Sequence, residues 1–247
     1  MPKMKTSLAF FGVSLWLLIC CSPVWAGSLI FSDPVKGPVE VYSFDWNLGN
    51  SLSDGALALS TDPNAPTRFQ QFFHASLGSF LDLNGNVIGG TGLNVLYEIT
   101  LVYSHGQKGV RSPLNTDGDA FIEVENLNFE LDDLAEVNFV EIYFDPARNA
   151  NSLTGTGYRD GILLMKGVVS QYTGQFTSFL DLDNNNIIDV VALDQFLTNN
   201  YPGTGTIVGS GSSQIAVSIN AGSVNTNYIS GVGSSAISLF LNTSQIL

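Results

Sequence analysis

Apolar and polar positions alternate in short stretches along most of the chain, and clusters of Gly, Asn, Asp, Ser and Pro separate these stretches. In Val95–Tyr103 every odd position is apolar, whereas Glu98 and Thr100 lie between them. This period of two is typical of a strand that buries one face. Similar apolar stretches predict strands at Val39–Phe44, Phe69–Leu81, Phe121–Leu131, Val137–Phe144, Ile162–Val169, Ile215–Ile219 and Ile237–Leu241.

Helical spacing is scarce. The apolar residues Val190, Leu193, Phe196 and Leu197 predict a short amphipathic helix that ends before Tyr201-Pro202-Gly203. Many strands, frequent turns and few helices favour an all-β fold, namely an antiparallel β-sandwich with a jelly-roll-like arrangement and at most one or two short helices.

The mature chain is expected to form one domain, residues 27–247, because no low-complexity linker interrupts the strand pattern. The Gly- and Ser-rich segment Gly203–Ser213 is interpreted as a turn-rich pair of strands. A change in the apolar phase near Glu125–Asn126 predicts a β-bulge there.

The first 26 residues have the pattern of a secretory signal peptide. Lys3 and Lys5 precede the apolar stretch Leu8–Ile19, and Val24-Trp25-Ala26 resembles a signal peptidase site. The apolar stretch is too short for a membrane span, which needs about 20 residues. We therefore expect a secreted, extracellular protein, on a bacterial cell surface or in a matrix, and no later segment is apolar for long enough to span a membrane.

Cleavage after Ala26 would remove both cysteines, Cys20 and Cys21. The mature chain would then have no disulfide, no cysteine nucleophile and no cysteine-containing zinc site. Its stability would have to come from apolar burial and strand pairing.

The formal net charge of −13 narrows the range of partners. Nucleic acid is excluded as the expected partner, because there is no basic stripe to neutralise phosphates. An acidic surface instead makes divalent cations the natural small partners.

One segment has the spacing of a calcium-binding loop. Asp181, Asp183 and Asn185 offer side-chain oxygens, Ile187 a backbone carbonyl, and Asp189 a direct or water-bridged contact.

Two departures from the usual calcium-binding loop leave an alternative interpretation open. Asn186 replaces the usual glycine, and Ala192 stands where a bidentate acid belongs, so Asp194 or a distant group would have to complete the shell. The alternative to a Ca²⁺ cofactor is a solvated turn rich in Asp and Asn.

Candidate catalytic groups are few. His74 is interpreted as a surface or rim residue and His105 as part of a turn at a strand end. Ser210 and Ser212 lie among glycines but lack the strand-to-helix elbow of a hydrolase, and no pair of acids stands out for glycoside cleavage. The chain is expected to have no enzymatic activity, with a glycan hydrolase as the less favoured alternative. The one tryptophan of the mature chain, Trp46, gives little sign of a sugar-stacking platform.

Four strings carry a family resemblance: Phe44–Asn50, Asn138–Arg148, Leu153–Gly161 and Tyr201–Ser212. Together they resemble exported bacterial proteins of the PEP-CTERM/exosortase system, of the flocculation-associated type. The resemblance implies an extracellular protein of a biofilm or floc matrix and brings no catalytic residues with it. That family ends in a Pro-Glu-Pro motif, an apolar span and a basic tip, whereas this sequence ends at Leu247. It is expected to be a truncated relative or one released without sorting.

The shared strings also have a structural interpretation as turns. Pro146 should end a strand after Asp145, and the glycines of Thr154-Gly155-Thr156-Gly157 should allow a tight reversal. An ion pair between Arg148 and Asp160 is expected to close this loop.

The sequence therefore favours a secreted, non-enzymatic matrix or surface protein whose partners are extracellular polysaccharide or other matrix components. The alternative function is a calcium-dependent carbohydrate-binding β-sandwich module.

Overall fold

The computed structural model describes residues 28–47, 49–56, 59–114, 124–178, 190–192, 205–207, 209–231 and 237–245, and every regular element within these ranges is a strand. The strands are β1 Leu29–Asp33, β2 Gly37–Val41, β3 Ser43–Trp46, β4 Asn50–Asp54, β5 Thr67–Leu81, β6 Glu98–Leu114, β7 Val124–Leu131, β8 Phe139–Asp145, β9 Ile162–Ser178, β10 Val190–Ala192, β11 Gly205–Ile207, β12 Gly209–Val224, β13 Ile229–Ser230 and β14 Ile237–Gln245. Residues 1–26, the predicted signal peptide, lie outside the described ranges. No helix in the described ranges is long and apolar enough to cross a membrane.

A nine-stranded antiparallel sheet organises the fold. Its order is β14-β12-β9-β7-β6-β5-β3, with β4 also paired to β5, and β8 paired to both β6 and β9. The long strand β6 pairs with β8 over Glu98–Ser104 and with β7 over Gln107–Leu114. The strand β9 is likewise shared between β8 and β7. The large sheet therefore has two halves, one built around β8 and the other around β7.

A second sheet, β13-β1-β2, packs against the inner face of the large sheet. The ring of Phe31 on β1 lies 5.2 Å from that of Phe80 and 6.0 Å from that of Tyr97 between ring centroids. Ile99, Leu101 and other inward residues of the large sheet belong to the same buried cluster. The predicted antiparallel β-sandwich is confirmed, because period-two apolar faces of two sheets meet in one core.

A row of polar side chains interrupts this inner face. The Nε2 of Gln107 donates to the Oε1 of Gln71, and the Nε2 of Gln71 donates to the Oγ of Ser51 at 2.6 Å. His105 is fully buried beside Gln107, and burial lowers the pKa of its imidazole to about 4. The interpretation of His105 as a turn residue was wrong, since it lies within β6.

Two other local predictions were wrong. Val190–Ala192 form β10, which pairs with β11, so the predicted helix does not begin at Val190; its remaining positions lie outside the described ranges. The strand β7 pairs with β6 from Val124 to Leu131 without a register shift, so there is no bulge near Glu125–Asn126.

Candidate functional site

The predicted calcium ligands lie outside the described residues. These are Asp181, Asp183, Asn185, Ile187, Asp189 and Asp194. The calcium loop therefore stays a prediction, and the described functional groups lie elsewhere, on the outer face of the large sheet.

The segment 146–161, which we call the cover loop, begins and turns as the sequence predicted. The Oδ1 of Asp145 accepts a hydrogen bond from the backbone N of Ala147 at 2.7 Å, and Pro146 has no N–H to continue β8. Gly155 and Gly157 have φ of 66° and 78°, a region that favours glycine and permits the reversal.

The ion pair predicted between Arg148 and Asp160 was wrong. The Nη1 of Arg148 donates to the backbone O of Asn94 at 3.3 Å, and the Oδ2 of Asp160 accepts from Asn149 at 3.0 Å. Arg148 and Asp160 therefore each bond to a backbone or side-chain amide group instead of to each other.

The cover loop buries the outer face of β5, β6 and β8, called the covered face. Tyr158 packs with Val102 and Tyr143, and its backbone O accepts from the Oγ1 of Thr100 at 2.9 Å. Strand β6 is therefore buried on both faces, which corrects the expectation of a half-buried strand. Alternation along β6 could not reveal this, because the loop that covers it comes much later in the chain.

His74 lies on the covered face, opposite the apolar face of β5 as the sequence indicated. Its ring lies 4.2 Å from that of Tyr158 between centroids, and its Nε2 has no hydrogen-bond partner in the described structure. Burial lowers the pKa of His74, and a hydrogen bond with the backbone of Ser152 opposes that shift. The imidazole is therefore neutral at pH 7 and half-buried, which differs from a solvated rim histidine.

Glu141 is a buried but fully engaged carboxylate on the same face. It accepts hydrogen bonds from the Nη2 of Arg159 at 2.6 Å and the hydroxyl of Tyr143 at 2.7 Å, and Lys166 Nζ lies 3.1 Å away. Burial acts to raise the pKa of Glu141, but these three partners outweigh it and hold the pKa below its usual value. The group stays ionised at neutral pH and is unsuited to general-acid chemistry.

Glu98 and Asp145 form an acidic pair, called the Glu98–Asp145 corner. They are cross-strand partners on β6 and β8, and both are buried. Burial raises the pKa of Glu98, a hydrogen bond from the backbone N of Ala150 opposes this, and the charges of Asp145 and Asp160 raise it further. Sequence reasoning missed this pair, since the two strands that bring the acids together are far apart in sequence.

The other half of the outer face is open and polar. In register across β7, β9 and β12 lie the rows Asn128–Gln175–Ser212 and Glu130–Thr173–Gln214. We call these six side chains the open face. Five of the six are uncharged, and the exception, Glu130, pairs with Lys108 at 3.4 Å.

A surface hollow lies within the open face. Its volume is about 230 Å³. The residues that line it are Thr173, Gly174, Gln175, Ser212, Ser213 and Gln214. The exposed hydroxyl and amide groups flank the hollow, while the backbone of the inward-facing Gly174 and Ser213 lies between them. Gln171, Thr173 and Gln175 are polar residues at every second position of β9, and this pattern is the sequence signal that could have identified the surface.

Within the described ranges, no group of three or more His, Cys, Asp or Glu side chains is arranged to hold a metal ion. No protein-family model, curated protein or solved structure matches the chain, so its resemblance to PEP-CTERM proteins stays a prediction.

Proposed function

We propose that the chain is a secreted, non-catalytic component of an extracellular matrix, such as that of a biofilm or floc, and binds neutral polysaccharide through its open face. The observation that carries this proposal is the uncharged hollow between Thr173, Gln175, Ser212 and Gln214. Export is supported by the signal-like residues 1–26 and by the family resemblance.

The chemistry of the open face favours a hydroxyl-rich, uncharged ligand. Amide groups both donate and accept hydrogen bonds, as do the hydroxyls of Ser and Thr, and these are the groups that a sugar ring can pair with. The chain has a formal net charge of −13, which repels acidic polymers, whereas this face is almost free of charge. A neutral glycan is the occupant that meets both conditions.

The same surface implies weak binding at each contact. The six residues of the open face include no aromatic ring, so the stacking energy that many sugar sites use is missing there. Hydrogen bonds exposed to water contribute little net free energy. A polymer that engages several copies of the chain would still be held firmly by multivalency, as a matrix requires.

The surroundings of the buried acids support a non-catalytic role. Glu141 is neutralised by Arg159 and Lys166, and Glu98 and Asp145 are buried. A glycosidase needs two acids that face a bound sugar with room for water or for a covalent intermediate.

Affinity electrophoresis tests the proposal. The purified chain should be retarded in native gels that contain a neutral glucan or mannan. The double variant Gln175→Ala/Gln214→Ala should lose at least about half of that retardation. The matched control Asn84→Ala/Asn227→Ala removes two exposed amides away from the open face and should migrate as the wild type does.

Absence of retardation by every neutral polysaccharide would overturn the proposal, as would equal retardation of the Gln175→Ala/Gln214→Ala variant. Self-association of the wild type without polysaccharide, abolished by that variant, would identify a second copy as the occupant instead. Gels run with Ca²⁺ and with EDTA address the alternative function, because a calcium-dependent module would lose its retardation in EDTA.

A further inference from the structure

The Glu98–Asp145 corner holds buried negative charge without a basic side chain. Glu98 is 8% exposed and Asp145 is 4% exposed, and antiparallel register places them directly opposite each other on the covered face. Directly opposed Cβ atoms lie about 5 Å apart. No lysine, arginine or histidine of the described ranges forms an ion pair with either carboxylate.

One oxygen of this pair is unsatisfied. Asp145 uses its Oδ1 to accept from the backbone N of Ala147, but its Oδ2 is buried and accepts no hydrogen bond within the described structure. A buried carboxylate oxygen without a donor is costly, and a second carboxylate opposite it increases that cost. A cation would relieve both costs at once.

The end of the cover loop brings a third acid to this corner. A Cβ built on Gly161 would lie 2.9 Å from the Cβ of Asp145, so the backbone passes directly over that residue. Asp160 precedes Gly161, and its charge acts on Glu98. Its Oδ2 accepts from Asn149 Nδ2, which leaves Glu98 and Asp145 as the two inward carboxylates.

From this arrangement we infer that the corner binds a calcium ion. Asp145 Oδ2 and the carboxylate of Glu98 are the protein ligands, and backbone carbonyl and water oxygens complete the six to eight contacts that calcium takes. With two carboxylates the site is weak, with a dissociation constant of about 10⁻⁴ to 10⁻³ M, as in other extracellular calcium modules. The site joins the start of β6 to the end of β8 and fixes the cover loop. It does not depend on polysaccharide binding.

Thermal unfolding of the full chain, first treated with EDTA, tests the inference. Adding 10 mM CaCl₂ should raise the Tm by about 3 to 8 °C, because the ion binds only the folded state. Glu98→Gln and Asp145→Asn should each reduce that increase to less than about 1 °C. In EDTA both variants should be as stable as the wild type or more so, because each removes one of two opposed charges. Glu130→Gln, an equal charge change on the open face, should keep the full increase.

Terbium luminescence gives a second measurement that needs no variant to fold. Terbium bound at the corner should be sensitised by Tyr143 or Tyr158, and calcium should displace it and abolish that luminescence; emission that calcium leaves unchanged would contradict the inference.

Three results would overturn the inference. The first is a wild-type Tm that calcium leaves unchanged. The second is a full calcium response in both Glu98→Gln and Asp145→Asn. The third is loss of the response in Asp181→Asn/Asp183→Asn alone, which would identify the sequence-predicted loop as the calcium site. The Gln175→Ala/Gln214→Ala variant should keep the calcium-induced increase in Tm. The test of polysaccharide binding and the test of calcium binding can therefore fail independently.

Discussion

The covered face, on β5, β6 and β8, and the open face, on β7, β9 and β12, belong to one side of one sheet, yet their chemistry is opposite. The covered face buries Glu98, Glu141 and Asp145 and half-buries His74, beneath or beside the cover loop. The open face exposes amides and hydroxyls and has a single ion pair, between Lys108 and Glu130. The difference comes from the connection after β8, because the cover loop folds back there over one half of the sheet and leaves the other half to solvent.

This difference separates side chains that hold the fold from those available to a ligand. A buried charge is tolerated only with partners in fixed geometry, as Glu141 has, so its neighbours are committed to stability. An exposed amide costs little to leave solvated and can exchange water for a ligand. We therefore expect substitutions on the covered face to change stability and substitutions on the open face to change binding.

The largest expected effect comes from acid, which titrates buried groups and leaves the amides of the open face unchanged. His105 has a folded pKa of about 4, against about 6.5 in the unfolded chain. The unfolded state binds the extra proton between these values, so stability is complete above about pH 6.5 and falls by about 3 kcal/mol as the pH drops to 4. Urea unfolding at several pH values measures this loss.

His105→Gln removes this titration and serves as the comparison. Its free energy of unfolding should depend less steeply on pH between 6.5 and 4 than that of the wild type, even if its stability at pH 7 is lower. Equal slopes for the two proteins would show that His105 is accessible to protons in the folded state.

Loosening the cover loop is expected to have the next largest effect. A Cβ at Gly157 would overlap the backbone O of Asn149, and its φ of 78° disfavours alanine. Gly157→Ala should therefore cost about 3 kcal/mol of unfolding free energy. Gly85→Ala is a matched control, because Gly85 has the same φ but no atom within 4 Å of the added Cβ, and it should cost about 1 kcal/mol.

The titration of His74 reports on the same loosening. In the wild type its pKa, followed by the NMR shifts of the ring, should lie below 6.5 because the ring is partly buried. In Gly157→Ala the pKa should rise toward 6.5. An unchanged pKa in a destabilised variant would mean that the loop still covers the ring.

Paired glutamates on the two faces give a smaller and more direct contrast. Glu141→Gln removes a buried carboxylate that has three partners and should cost about 2 kcal/mol. Glu130→Gln removes an exposed one paired with Lys108 and should change stability by less than about 0.5 kcal/mol. Chemical denaturation measures the loss of unfolding free energy in both variants. Equal losses would refute the contrast.

The smallest effect is expected for the open face itself. Gln175→Ala/Gln214→Ala should change the free energy of unfolding by no more than about 0.5 kcal/mol, because both side chains are exposed. A larger loss would show that these amides stabilise the sheet, and any loss of polysaccharide binding would then need another explanation.

The features that the sequence predicted correctly are those that depend on residues close together in the chain. The apolar stretch Val137–Phe144 identified β8. Asp145, Pro146, Gly155 and Gly157 identified the turns of the cover loop, because turn chemistry is local. Contacts between segments that are distant in sequence could not be predicted from local patterns. Arg148 was assigned to Asp160 because both lie in one loop, whereas Arg148 donates to Asn94 from a different part of the chain.

His105 illustrates a second limit. Glycine comes directly after it, and the apolar alternation stops at Tyr103, so the local pattern resembles a strand end. The strand continues because Gln71 and Gln107 supply polar partners from within β5 and β6. The Glu98–Asp145 corner was missed for a related reason, since its two members meet only when β6 pairs with β8.

The row of Gln71, Gln107 and His105 has a consequence for how the chain avoids misassembly. A slide of β5 past β6 by two residues would return every apolar side chain to the inner face. Apolar contacts alone therefore distinguish only weakly between the observed register and the shifted one. A slide that brings Gln71 opposite Tyr103 would break the hydrogen bond between Gln107 and Gln71 and place the amide of Gln71 against an aromatic ring. This one hydrogen bond therefore favours the observed register of β5 and β6 over the shifted one.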